Sequence, residues 1–336
     1  MNRNFEKEKE FYEKNFNFSY SSLNKLLFSP YLFYKDYILN DREIKTDKHL
    51  VEGKLVHCLL FEEDKLNDKF NILPGKLPAD SNIKVLNALY NITSNRESSL
   101  LSQDFTFQQE ILQVLINQNL YQTLKLDDTR LEKIQTADNE FYWNYLKNSS
   151  KDAIDNDTLA KCREQAENIK SNKDVMTLFN EVQTDFELDP IETHAEKYLK
   201  CELSKMPFGL HGYIDYYKVN HTSKLITICD LKTTSKTISD FKETIDHYNY
   251  WLQAAIYCKL VYANTAKEVD NIDSYDMLFK FIVVDKYNQV YAFDVSENTI
   301  NNWAISLENV IKTAEYHYEQ KNYTLPYEFL IGNIKL

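Results

Sequence analysis

Hydrophobic positions recur at two different periods along this chain, and the change from one to the other divides it. In Phe18–Leu39, FSYSSLNKLLFSPYLFYKDYIL, Leu23, Leu26 and Leu27 recur at helical spacing behind serines able to cap a helix; Pro30 interrupts the run and a second short helix follows. A charged stretch, NDREIKTDK, leads into HLVEGKLVHCLLFEE, where Val51, Leu55, Leu59 and Leu60 form one helical stripe with His57 beside it. Pro74 and Pro78 close that segment. Residues 84–182 are polar and mostly helical, with turn signals at Leu126–Thr129 and Asn148–Lys151 and a capped amphipathic helix over 156–180. They read as a helical insert.

Near residue 191 the period drops from about 3.6 to 2. THAEKYLKCEL, GLHGYIDYYKVN and KLITICDLKTT predict a strand meander. Ile238–Tyr262 then predicts one helix through Phe241, Ile245, Tyr248, Leu252, Ala255 and Ile256, long enough to cover a sheet face. DMLFKFIVVDK and QVYAFDV predict a hairpin across Tyr287 and Asn288, and a last helix is expected from about Glu297 to Gln320. Strands and helices in blocks place the chain in the α/β (α+β) class with a mixed sheet. The expected organisation is N-terminal helices including that of His57 over 1–83, a helical insertion over 84–190, and a core of sheet and helices over 191–336.

Composition narrows the chemistry. With 336 residues, 43% hydrophobic and 27% charged, the chain can bury a core and is neither disordered nor collagen-like. It has five glycines where average usage gives roughly 24. GxGxxG and GxxxxGK[ST] are both absent, so any phosphate is expected to meet a metal ion or a basic side chain rather than a glycine cradle. A formal charge of −12 argues against coating nucleic acid through bulk positive charge. It leaves room for a local basic groove with bound cations, because charges more than about 8 Å away are screened. Cysteines at 58, 162, 201, 229 and 258 offer no CxxC pair for zinc or an iron–sulfur cluster and suit a reducing cytoplasm. The charged opening MNRNFEKEKE and the lack of a long uncharged run predict neither signal peptide nor membrane span, hence an intracellular, cytoplasmic protein.

KLITICDLKTT puts Asp230 and Lys232 two residues apart on a strand, so their side chains share a face with Ile226 and Ile228. Leu225, Cys229 and Leu231 take the other face, and a strand buried on both sides with a charged pair at its C-terminal end calls for a reason. A hairpin across VNHTSK would bring Asp215 near Asp230. Two adjacent carboxylates repel unless a cation lies between them. Asp215, Asp230 and an imidazole such as His57 would suit Mg²⁺ or Mn²⁺, which would activate water and neutralise phosphate charge.

The set Gly53-x-x-x-His57, Glu196, Gly212-x-x-Asp215, Asp230-x-Lys232 and Gln253-x-x-x-Tyr257 resembles, in order and spacing, the PD-(D/E)XK nuclease superfamily in its RecE-like exonuclease VIII and RecB-nuclease branch. The opening FSYSSLNKLLFSPYLFYKDYI, the His57 helix, the helix near 158–180, FKFIVVDK and the closing NYTLPYEF resemble that pattern too, covering about 18–330. Glu202 competes with Glu196 for the first acidic position, and the iron–sulfur cysteines of some related nucleases are missing. The resemblance implies a restriction-endonuclease-like core with a mixed central sheet, flanking helices and a helical insertion. It implies one or two divalent ions held by His57, Asp215, Asp230 and the carbonyl of Leu231, with Lys232 orienting the attacking water and stabilising charge on the phosphate. Gln253 and Tyr257, at i and i+4 on one helical face, would hold the nucleophile, the lysine or a phosphate; Glu196 would be an outer metal or water contact, and Lys236 and Lys242 would be DNA contacts. The activity it implies is an end-dependent double-strand DNA exonuclease, 5′ to 3′ by analogy, of phage-type recombination or replication. A single-strand annealing partner and a homo-oligomeric ring belong to the same analogy. The alternatives are a structure-specific or single-strand nuclease, and a DNA-binding module without catalysis.

Simpler roles compete at each position. An isolated D-x-K is most often a surface salt bridge, and an isolated helix histidine such as His57 is most often packing. His194, His211, His221 and His247 are expected to be structural, and Tyr248 and Tyr250 to be packing aromatics in a chain with 24 tyrosines. Ser19, Ser21 and Ser22 are expected as caps rather than nucleophiles.

Overall fold

The computed structural model describes residues 4–42, 47–179, 191–332 and 334. Its strands are β1 (Asn17–Phe18), β2 (Phe70–Ile72), β3 (Asp152–Ile154), β4 (Ile191–Glu202), β5 (Gly209–Asn220), β6 (Leu225–Thr233), β7 (Asp276–Val284) and β8 (Val290–Val295). The chain folds as two compact units, residues 1–45 with 167–336, and residues 46–166.

The first unit holds a six-stranded sheet in the order β1-β5-β6-β7-β8, with β4 also paired to β5. β4, β5 and β6 form the antiparallel meander that the period-2 pattern predicts, and β7 and β8 form the predicted hairpin. β6 and β7 are parallel because the chain crosses over between them through helices; β1 and β5 are parallel as well, so the sheet is mixed. The crossover helix Tyr250–Thr265 buries Leu252, Ala255, Ile256, Leu260 and Val261, and lies between β4–β5 and the last helix, Glu297–Gln320. A helix covered on both sides must be apolar nearly all round, and this one is. Its core partners include Ile226, Ile228, Phe279 and Phe281 of the sheet and Leu307, Ile311 and Ala314 of the last helix.

At the N-terminus, Ser19 caps the helix Tyr20–Phe28 through a reciprocal bond with Ser22. Ser29 then caps a turn that begins on Pro30, where the missing N–H costs nothing. Ser19 and Ser22 fulfil the capping expected from sequence, and Ser29 is a further cap that was not expected.

Three local expectations are corrected. The helix expected over 238–262 is a short 3-10 turn, a helix Phe241–His247 and then Tyr250–Thr265, separated at Asn249, which takes the left-handed conformation at φ 55°. Asparagine tolerates that region, and the side chain is held on both sides: its Nδ2 donates to Asn24 Oδ1 at 2.8 Å and its Oδ1 accepts from Trp251 Nε1 at 3.0 Å. The helix expected over 156–180 stops at Ser171; Asn172 Oδ1 accepts from Val175 N–H at 3.1 Å and starts a new helix, Lys173–Phe179. Asn180, and 181–190 of the expected insert, lie outside the described residues, as do 43–46 of the charged stretch. The turn expected at Leu126–Thr129 is instead the start of the helix Asp127–Ile134, with Asp127 and Asp128 suiting its positive N-terminus.

The second unit is helical around Val85, Leu86, Leu89, Phe107, Ile111, Leu115 and Trp143, and the Trp143 indole donates to the Ser98 carbonyl at 2.8 Å. Its two short strands, β2 and β3, pair in parallel. The helix Lys48–Phe61 buries Val51, Leu55, Val56 and Leu59 and carries a half-buried His57.

Candidate active site

β6 puts Asp230 and Lys232 on one face, as expected, and their side chains form an ion pair. Asp230 is fully buried and Lys232 nearly so. A buried pair of this kind costs desolvation that its attraction barely offsets, so its presence points to function. Burial by itself pushes the Lys232 ammonium down, but the nearby charges of Asp230 and Asp215 hold it above its ordinary value. It is therefore a cation throughout the working pH range.

The neighbouring strand supplies Asp215. The β5–β6 ladder runs to Tyr216 opposite Cys229 and then opens. There Asp215 Oδ2 takes the place of a backbone acceptor, receiving the Leu231 N–H at 2.7 Å. One bond thus ties the first carboxylate to the backbone between the second carboxylate and the lysine.

β4 supplies the third acid. Its register, with Ala195 opposite Tyr216 and Lys197 opposite Ile214, sets Glu196 against Asp215, and a carboxylate oxygen of each lies within 4.8 Å of the other. Glu196 has φ 48°, a strained value for a residue with a side chain. Along β5 the buried positions shift phase at this point, from Leu210 and Ile214 to Tyr217 and Val219. The local distortion is what turns both carboxylates to one place. Glu202 is exposed at the far end of β4 opposite Gly209, so of the two glutamates Glu196 is the one beside Asp215.

The crossover helix supplies Gln253 and Tyr257, one turn apart, with Gln253 Nε2 donating to the Tyr257 hydroxyl at 2.8 Å. Burial, reinforced by the charges of Asp215 and Asp230, raises the Tyr257 phenol well above its ordinary pKa and keeps it neutral. Lys236 and Lys242 are exposed beyond the end of β6. The loop that carries Lys236 is stapled to the β7–β8 hairpin: Thr234 N–H donates to Val284 at 2.9 Å, and Ile238 N–H donates to the Asp285 carboxylate at 3.3 Å. His57 belongs to the other unit, where its ring lies 6.3 Å from that of Phe61.

Three residues of this region were missed from sequence. Tyr250, expected as packing, has its ring 4.8 Å from the Lys232 ammonium. Burial raises the Tyr20 phenol, with the nearby Tyr250 and Asp230 adding to it, and its hydroxyl donates to the Tyr248 carbonyl. Asp285, fully buried, accepts from the N–H groups of Tyr287 at 2.8 Å and Gln289 at 2.9 Å as well as Ile238. Tyr20 and Asp285 lie in the resembling segments FSYSSLNKLL and FKFIVVDK without having been singled out, and Tyr250 carried no signal.

Two buried acids, a third beside them and a buried lysine form a donor set of hard oxygens with one fixed cation. That suits a divalent ion such as Mg²⁺ or Mn²⁺ and the stabilisation of an anionic transition state. Comparison with known proteins gives a family model described as the PD-(D/E)XK nuclease superfamily, matching residues 17–323. No curated protein matches. A crystal structure of a "Putative exonuclease" from Eubacterium rectale aligns over 100% of this chain and 95% of its own, with 11% identity and a TM-score of 0.48.

Proposed function

Because the chain belongs to the PD-(D/E)XK nuclease superfamily, we propose that it is a Mg²⁺- or Mn²⁺-dependent deoxyribonuclease that degrades duplex DNA from its ends, with 5′ to 3′ polarity by analogy. The observation that carries the reading is the tie between Asp215 Oδ2 and the Leu231 N–H, which joins Asp215 to the strand bearing the Asp230–Lys232 pair. In this reading Asp215, Asp230 and the Leu231 carbonyl hold one or two ions, with Glu196 beside Asp215; His57 enters from the sequence reading. When bound, the cation offsets phosphate charge and acidifies water. The chain's own groups do the rest. Lys232, cationic and held by Asp230 and the Tyr250 ring, faces charge that builds on the scissile phosphate. Gln253 orients the neutral Tyr257 phenol, and Lys236 and Lys242, exposed beyond the end of β6, would contact the phosphate backbone. A place in phage-type recombination, a single-strand annealing partner and a ring assembly rest on the same family analogy and remain part of the proposal.

The test is digestion of end-labelled linear duplex and covalently closed circular duplex with Mg²⁺ or Mn²⁺. Loss of linear DNA only is expected, with the label giving polarity. Asp230→Ala is expected to abolish it, Lys232→Ala to lower the rate about 10²- to 10³-fold, and His57→Ala to lower it as a lost ligand would. Full activity in Asp230→Ala overturns the site. Cleavage of circles or of single strands alone points to the structure-specific or single-strand alternative, and metal binding with no cleavage of any DNA to the non-catalytic one.

A further inference from the structure

We propose that the β4–β5 hairpin carries a stacking platform for unpaired bases beside the candidate active site, built from Tyr198, Tyr213 and His211 with Lys200; the inference rests on the nuclease reading and names the form in which that site receives its strand. Tyr198 and Tyr213 are direct cross-strand partners, as are Lys200 and His211. The Tyr198 ring lies 5.1 Å from that of Tyr213 and 5.7 Å from that of His211, so the three form a continuous row. Tyr213 is 61% exposed and Tyr198 44%, although each is large enough to be core material, and Lys200 is exposed. β4 pairs only with β5 among the described residues, so the row lies on a hairpin at one edge of the sheet.

Position and chemistry narrow the occupant to single-stranded nucleic acid. Tyr198 is two residues from Glu196 and Tyr213 two from Asp215, on the same two strands. Two residues of extended strand span about 7 Å, and because Gly212 faces the crossover helix its neighbours Tyr213 and His211 present the row on the sheet face turned away from that helix. A row of aromatic faces with a lysine at its end is the pairing by which proteins hold unpaired bases and their phosphates without reading sequence. In a duplex every base face except the outer face of the terminal pair is stacked, so a row of three rings serves a strand already separated from its partner. Burial lowers the His211 pKa and leaves the ring neutral, which suits stacking rather than phosphate pairing.

The experiment measures binding of a fluorescein-labelled oligo(dT) 20-mer to the full chain without divalent ions, so that no turnover intervenes. Tyr198→Ala/Tyr213→Ala is expected to weaken binding about tenfold or more, and Tyr198→Phe/Tyr213→Phe to keep it near wild type. An oligonucleotide with abasic sites in place of thymines is expected to bind wild type and the alanine variant equally. A variant that lost affinity by misfolding would bind both ligands worse, and the phenylalanine variant would still report on the rings. Equal oligo(dT) binding by wild type and the alanine variant, or no binding by wild type, overturns the platform. Failure of the nuclease reading is seen separately, as intact DNA when wild type is incubated with Mg²⁺ or Mn²⁺.

Discussion

A methyl group at Gly212 would stand 3.3 Å from both Leu260 Cδ1 and Tyr257 Cε1. The crossover helix therefore approaches β5 closely at the turn that carries Tyr257, and the glycine permits it. Gly212→Ala should cost about 1 kcal/mol of stability, the mild end of overpacking, and lower activity more than that figure alone would, because the ring it displaces is tied to Gln253. Chemical denaturation beside a cleavage assay checks both. Glycine in Gly-x-x-Asp was legible as spacing, whereas its reason is a contact between elements 45 residues apart in the chain. The Asp230–Lys232 pairing was legible because a period-2 strand allows no other arrangement of i and i+2. Tyr250 was not, since nothing local separates it from 23 other tyrosines.

Strands followed their hydrophobic period, whereas an unbroken helical stripe did not guarantee a single helix. β4, β5, β6 and the β7–β8 hairpin appear where alternation placed them. The break at Asn249 was hidden because Tyr248 and Leu252 continue the helical stripe across it; long-range bonds to Asn24 decide the matter. β2 and β3 were hidden too, being three residues each and made by pairing with one another. Asp285 accepts three backbone N–H groups, two from its own hairpin turn and one from Ile238 of the loop after β6. Asp285→Ala would strand those donors and is expected to cost about 3 kcal/mol, with Asp285→Asn losing less because one oxygen acceptor remains. Urea midpoints of the two variants give the comparison. Equal stability of Asp285→Ala and wild type would remove the staple from the account.

At the scale of the whole molecule, the acidic site couples ion binding to folding. An ion bound only by the folded state stabilises it by mass action, about 2.7 kcal/mol at a hundred times the dissociation constant. Mg²⁺ or Mn²⁺ should therefore raise the melting temperature with concentration, EDTA should reverse it, and Asp215→Asn should flatten the response. Acid should act elsewhere. His317 is buried with its Nδ1 on the Asn322 carbonyl at 2.6 Å, and its Nε2 is buried with no hydrogen-bond partner among the described residues. Burial lowers its pKa, only partly countered by the Asn322 carbonyl, so the folded protein holds the neutral ring while the unfolded chain takes up a proton near pH 6.5. That contribution to stability is complete above about pH 6.5 and is lost as pH falls toward the lower folded value. Thermal melts from pH 7.5 to 5 should show the decline, and His317→Gln should make it shallower.

The sequence by itself determined the class of fold, the meander and hairpin, the serine caps and the family, because each depends on periods and spacings that short-range geometry enforces. Tertiary structure alone decided that Glu196 rather than Glu202 meets Asp215, that the ladder opens so the Leu231 N–H turns to a side chain, and that Tyr250 lies under Lys232. Those outcomes come from register, a strained φ and a left-handed asparagine, whose energies are settled by partners far away in the chain rather than by neighbours in the sequence.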